Sequence, residues 1–216
     1  MIDLTKFCDE QFAGDRKYIE TPFSIGAHSY ATNGHIIVRV PRRPDVPDVS
    51  PWFADKVLAL VKSVDFDTVY VDLPPFADPP VKSCTTCKDQ KFVVSCSECN
   101  GTALKTCPCC GGEMECKACD GGLVPANADT PDALTCPDCD GEIKYDRAVR
   151  VVFGKILLAP RYAVLLRELP GIQIAIHNDP VFPIPFRFDG GIGIIAPIVP
   201  SRHEDMSTYI VAGVAA

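Results

Sequence analysis

The chain has 216 residues, 47% of them apolar and 23% charged, with a formal net charge of −7 and an isoelectric point near 5.1. It is long enough to bury a core as one domain carrying an inserted or appended module. The charge excludes a globally basic nucleic-acid binder, whose affinity would rest on Lys and Arg neutralising phosphates, and no apolar run reaches bilayer-spanning length.

The opening stretch "MIDLTKFCDEQFAGDRKYIE" mixes charge with apolar residues from its third position, so it does not read as a secretory signal, and a reducing cytoplasm is the expected compartment. In "HSYATNGHIIVRVP", Asn33-Gly34 supplies turn chemistry between two short alternating strands. "SPWFADKVLALVKSV" predicts a helix with Ser50 as N-cap and Pro51 at its first position, and with Phe53, Val57, Leu60, Val61 and Val64 on one apolar face. "DTVYVDLP" follows as a strand ending in prolines.

Composition then shifts near residue 80 and again near 140, and eleven of the twelve cysteines fall between. Ten of them form the pairs Cys84/Cys87, Cys96/Cys99, Cys107/Cys110, Cys116/Cys119 and Cys136/Cys139. In a reducing compartment such C-x-x-C pairs read as zinc thiolates rather than disulfides. Two thiolates of a knuckle converge on one metal while nearby backbone N–H groups point at the sulfurs, and two knuckles complete a tetrahedral site. Gly101, Gly112, Gly122 and Gly141, two or three residues past their pairs, supply the backbone turns. The ten thiolates fill two sites with one pair left over, so two zinc ions are expected, with a third if further ligands are borrowed. Cys109, inside the third knuckle, reads as a small side chain without a metal role, and Cys8 as a buried apolar residue.

After the cysteines, "RAVRVVFGKILLA" is strand-like, "PRYAVLLRELPG" a short helix, and "GIQIAIHND", "PIPFRFDGG" and "IGIIAPIVP" three short strands. That is a β-α-β-β-β succession, and the first part offers at least strand, helix, strand. The expected organisation is α+β: two related halves at 1–80 and 142–216, with a cysteine-rich zinc-binding insertion at 81–141.

"YATNGHIIVRVP" resembles the turn and following strand of DNA sliding clamps, and "KILLAPRYAVLLRELPGIQIAIHNDPVFPIPFRFDGGIGIIAPI" resembles the last half-domain of the bacterial clamp. The resemblance implies one clamp-like domain of two β-α-β-β-β halves, where a bacterial ring subunit carries three such domains. Asn33 replaces the family's Asp. A positive lining would have to be built from Arg39, Arg42, Arg43, Arg147, Arg150, Arg161 and Arg167, which are scattered, so the fold is carried over and the encircling of DNA is not.

"CSECNGT", "CPCCGGE", "CKACDGG" and "CPDCDGE" resemble the repeats of the DnaJ-type cysteine-rich domain, a zinc-binding β-hairpin arrangement. By that likeness Cys96, Cys99, Cys136 and Cys139 would hold one ion and Cys107, Cys110, Cys116 and Cys119 the other, with Cys84/Cys87 able to replace one pair.

Between the first and last cysteine pair stand four lysines, no arginine and eight acids, with Phe92 alone available for base stacking, so nucleic acid could meet the clamp-like domain but not the zinc arm. His28, His35, His177 and His203 are isolated and read as structural or surface residues; Asp45, Asp48, Asp65 and Asp67 read as turn or capping residues. "DGGIGI" reads as a hairpin turn, and no phosphate loop, G-x-S-x-G or H-E-x-x-H is present. The resulting expectation is a non-enzymatic, zinc-binding protein-interaction module, accessory to DNA replication or repair in a bacterium or phage, with self-association open and no membrane role. The alternatives are DnaJ-like binding of unfolded polypeptide, against which the missing "HPD" tripeptide counts, and thiol-disulfide exchange, which would need a cysteine pair at a helix N-terminus.

Overall fold

The computed structural model describes residues 2–9, 17–142, 144–146, 148–176, 183–199 and 208–213. The chain divides into two compact units, Met1–Pro79 with Arg147–Ala216, and Pro80–Asp146. Strands dominate, with two α-helices among the described residues, an α+β, mainly sheet architecture. The first flank runs β1 (Phe23–Ile25), β2 (His28–Thr32), β3 (Ile36–Pro41), α1 (Pro51–Lys62) and β4 (Tyr70–Asp72). The cysteine unit then contributes β5 (Val81–Lys82), β6 (Phe92–Ser95), β7 (Leu104–Thr106), β8 (Glu113–Glu115), β9 (Leu123–Ala126), β10 (Leu134–Thr135) and β11 (Lys144–Tyr145). The second flank runs β12 (Val149–Phe153), β13 (Ile156–Leu158), α2 (Pro160–Arg167), β14 (Gln173–Ala175), β15 (Ile184–Phe188), β16 (Gly191–Ile195) and β17 (Thr208–Val211).

Both flanks share one seven-stranded antiparallel sheet of order β1-β2-β3-β16-β15-β14-β4. A smaller sheet, β13-β12-β17, includes a parallel pair between β12 and β17. Successive side chains of a strand point to opposite faces, and the large sheet uses both. Tyr30, Ile37 and Ile194 pack with Phe53, Val57 and Val61 of α1. Ala31, Ile36, Val38 and Ile195 join the other core cluster, with Ala163 and Leu166 of α2 and Val151 and Leu158 of the smaller sheet.

Local chemistry explains several elements. Ser50 occupies the cap position of α1 with Pro51 after it, but its hydroxyl makes no capping bond; its carbonyl accepts from the N–H groups of Phe53 and Ala54 at 3.1 and 3.0 Å. Leu60, expected on the buried face, is 40% exposed because it lies at the edge of the stripe that Phe53, Val57 and Val61 bury. The turn between β2 and β3 is built by Asn33, whose Oδ1 accepts from the N–H groups of His35 and Ile36 at 3.1 and 3.2 Å. An Asp could supply the same acceptor oxygen. Asp189-Gly190 closes the β15–β16 hairpin, with Gly190 at φ +92°.

The order of elements is richer than the sequence pattern suggests. "RAVRVVFGKILLA" forms two strands paired as a hairpin, since Gly154 at φ +59° turns the chain within the apolar run. The strand β17 follows the three strands expected after α2. Among the described residues three strands precede α1 and one follows it before the cysteine unit, an element order that differs from that of the second flank.

Candidate metal centres

Four of the five knuckles are closed by a backbone bond to the carbonyl of their first cysteine. The N–H groups of Lys88, Gly111 and Asp140 donate to the carbonyls of Cys84, Cys107 and Cys136, four residues earlier, at 2.9, 2.9 and 2.7 Å. Further N–H groups serve the sulfurs: that of Lys91 donates to Cys87, Ala103 to Cys99, Gly122 to Cys119 and Gly141 to Cys139. Donors aimed at sulfur stabilise the thiolate, the form that ligates a metal. Lys88, Asn100 and Asp140, directly after their second cysteines, adopt left-handed backbone at φ 49°, 53° and 56°.

The short ladders decide which knuckles meet. β6 lies between β10 and β9. On one side, the Thr135↔Phe92 register continues into a bond from the Cys136 N–H to the Lys91 carbonyl at 2.9 Å. On the other, the Ser95↔Leu123 register continues into a bond from the Cys96 N–H to the Gly122 carbonyl at 2.8 Å. The β7–β8 hairpin extends the second junction, with the Cys116 N–H donating to Ala103 at 2.8 Å. The knuckles are therefore nested: first with fifth, second with fourth, and the third alone at the hairpin tip.

Two four-cysteine clusters result, Cys84/Cys87/Cys136/Cys139 and Cys96/Cys99/Cys116/Cys119, each with its sulfurs within 4.8 Å of one another. Cys84 and Cys136 stand 3.7 Å apart, and Cys87 and Cys139 3.5 Å. In the second cluster Cys96 and Cys116 stand 3.9 Å apart, and Cys99 and Cys119 3.6 Å. A tetrahedron with metal–sulfur bonds of about 2.3 Å has sulfur–sulfur edges of about 3.8 Å. Spacing and donor set alike suit zinc. The pairing drawn from the DnaJ-type likeness is corrected: Cys136/Cys139 meet Cys84/Cys87, and Cys116/Cys119 meet Cys96/Cys99. The glycine-poor first knuckle takes part because β5 and β11 bring its end of the chain back beside the fifth.

In two of the facing pairs, Cys87/Cys139 and Cys99/Cys119, the proton is held unequally. Burial, and donation to Cys87, push the Cys139 thiol up to about 12. Burial also works to raise Cys87, but bonds from Cys139, Cys84 and the Lys91 N–H outweigh it and bring the thiol down to about 7. Cys119 and Cys99 repeat the pattern, at about 12 and about 7.

The third knuckle gathers Cys107, Cys109 and Cys110, with Cys107 and Cys109 sulfurs 2.9 Å apart. Cys109, read from sequence as a bystander, is thus one of three converging thiols. Sequence reasoning also missed Thr86, buried in the first knuckle, whose hydroxyl is hydrogen-bonded to Asp120 beyond the fourth knuckle and Asp138 within the fifth.

Other candidates take structural places. Cys8 is buried, its thiol 3.8 Å from the Leu4 carbonyl. His28 faces the Tyr30 ring, with its pKa lowered by burial and by Arg39, and His35 lies against Tyr162. His177, His203 and Arg147 lie outside the described residues. Arg42 pairs with Asp48, Arg161 with Asp9 and Arg167 with Asp78. Arg39 stacks over Phe66, Arg43 donates to the Ile2 carbonyl and Arg150 to that of Val149. The Asp67 N–H donates to Asp65 in a turn. The two α-helices begin at Pro51 and Pro160, so neither N-terminus carries a cysteine pair. Among the described residues no helix is long and apolar enough to cross a membrane.

No family model, curated protein or solved structure matches the chain. The functional reading therefore stands on the sites themselves.

Proposed function

We propose that the protein is a non-enzymatic zinc-binding interaction module, in which Pro80–Asp146 is an arm stiffened by metal and directed at another protein. The carrying observation is the pair of nested four-cysteine clusters. The arm spends its buried side chains on these clusters and leaves Leu104, Met114 and Leu134 exposed at 41%, 44% and 62%. Exposed apolar side chains on a metal-held scaffold suit protein contact. Residues 80–146 carry six lysines against eleven acids, and thiolate sites add negative charge, which disfavours a phosphate backbone there.

The resemblance of the flanks to sliding clamps supports a setting in replication or repair, as an accessory or modulator in a bacterium or phage. α1 and α2 pack on opposite faces of the large sheet, and many of the candidate arginines are engaged by acids or carbonyls, so the reading does not extend to encircling DNA. The ligand set of the proposal is Cys84, Cys87, Cys96, Cys99, Cys116, Cys119, Cys136 and Cys139 for two zinc ions, with Cys107 and Cys110 at the tip.

Photo-crosslinking from positions 114 and 134 of the full chain, in its native cell, tests the reading. The expected result is a specific protein adduct that requires zinc loading; Leu134→Asp should abolish crosslinking from position 114, and Met114→Asp crosslinking from position 134. Equal crosslinking by zinc-free protein and by those variants, or enzyme-like turnover by the purified chain, would sink it.

A further inference from the structure

Five knuckles cannot pair off completely, and the nested ladder leaves the middle one at the tip of the β7–β8 hairpin. There the Cys107 N–H donates to the Gly112 carbonyl at 2.7 Å and Gly111 turns with φ +72°, folding residues 107–112 into a compact cap. Within that cap the sulfurs of Cys107, Cys109 and Cys110 all lie within 4.8 Å of one another. We propose that this cap is a third metal site, in which three thiolates hold an exchangeable thiophilic ion whose fourth ligand is water or a small thiol from solution.

Three features separate it from the other two clusters. Its donor set is incomplete for a closed tetrahedral site, and three protein ligands with one position open is the arrangement in which a metal stays accessible. The other clusters bury three of their four cysteines each, whereas Cys109 and Cys110 are exposed and Cys107 half-buried. All three donors are sulfur, which selects soft ions such as zinc, cadmium or copper(I) over magnesium or calcium. Cys109 is what makes the site: without it the tip is a lone C-x-x-C pair with two ligands. An incoming thiol reaches the open position before any cysteine lets go. The incoming thiol gives its proton to water as it ligates, the ion leaves on the acceptor's ligands with its charge unchanged, and the freed thiolates take up protons; nothing is oxidised or reduced. The proposal goes beyond the protein-contact role and does not depend on it.

The test counts zinc. Reduced full-length protein is loaded with zinc under anaerobic conditions, weighed by native mass spectrometry, and challenged with a chromogenic pyridylazo chelator. The expected result is a monomer with three ions, one transferred in a fast phase and two retained. Cys109→Ser and Cys110→Ser should each hold two ions and lose the fast phase, the two retained ions showing that the unit is still folded. Cys87→Ser should keep the fast phase. A monomer with two ions and tip cysteines open to alkylation would overturn the proposal. So would a fast phase that survives in Cys109→Ser, or a zinc-linked dimer joined through the tip, because four thiolates would then close the site. Failure of the two interior clusters would read differently, as loss of the slowly released ions.

Discussion

Gly122 stands where the second and fourth knuckles cross. A Cβ on it would lie 2.2 Å from the Gly101 carbonyl oxygen, and its φ of +89° is a conformation that side chains resist. Gly26, at φ +57°, has open space around its missing Cβ. The comparison separates backbone strain from collision. Gly26→Ala is expected to cost about 1 kcal/mol, and Gly122→Ala distinctly more, on the order of 3 kcal/mol. Thermal unfolding of the zinc-loaded protein measures both. Protonation acts at the same scale. A metal entering the first cluster must displace the proton held by Cys139, raised to about 12, and below a pH of about 7 it must displace that of Cys87 as well. Zinc affinity should therefore fall as pH falls, and more steeply below about 7, in a competition titration against a chelator of known pH dependence.

Among the elements, the ladders on either side of β6 turn local knuckles into shared sites. The pairing makes a prediction that the DnaJ-type arrangement does not. The double variant Cys84→Ser/Cys136→Ser removes two ligands from one cluster and should lose one slowly released zinc. Cys84→Ser/Cys116→Ser leaves three thiolates in each cluster, so both slowly released ions should turn exchangeable and be lost to a chelator. Native mass spectrometry reads the difference. The same kind of close approach recurs in the large sheet, where β16 carries Gly191 and Gly193 beneath the rings of β15. A Cβ on Gly193 would lie 2.2 Å from the Phe186 ring and 2.5 Å from the Ile37 carbonyl oxygen. Those glycines let the aromatic residues lie across the strand without spreading it.

At the scale of the whole molecule the two units are held by different forces. The large sheet buries aliphatic and aromatic side chains on both faces. The cores of Pro80–Asp146 are Cys87, Cys136 and Cys139 around Val93, and Cys96, Cys99 and Cys116, with partly buried neighbours. A core made of thiols offers little apolar surface, so a metal bound at these clusters would supply much of the unit's folding energy. Chelation is expected to raise hydrogen exchange throughout 80–146 to near the unfolded limit while the strands of the large sheet keep their protection. Uniform protection in both units after complete zinc removal would contradict this.

What was legible in the sequence was local. C-x-x-C spacing and the glycines after it mark each knuckle, because the turn that aims two sulfurs at one point is made within a few residues. Ser50-Pro51 and the Phe53, Val57, Val61 stripe mark α1, and Asn33-Gly34 marks a turn, for the same reason. The hairpin within "RAVRVVFGKILLA" was hidden because an unbroken apolar run carries no period, and only Gly154 signals the bend. The choice of partners was never local. Five equivalent pairs can be joined in many ways, and only strand register across β10-β6-β9 selected first with fifth and second with fourth, leaving the third with Cys109 at the tip. The sequence determined how many metal-ready turns the chain makes and where; the tertiary structure decided which of them meet in one four-cysteine cluster, because that depends on hydrogen bonds between segments distant along the chain.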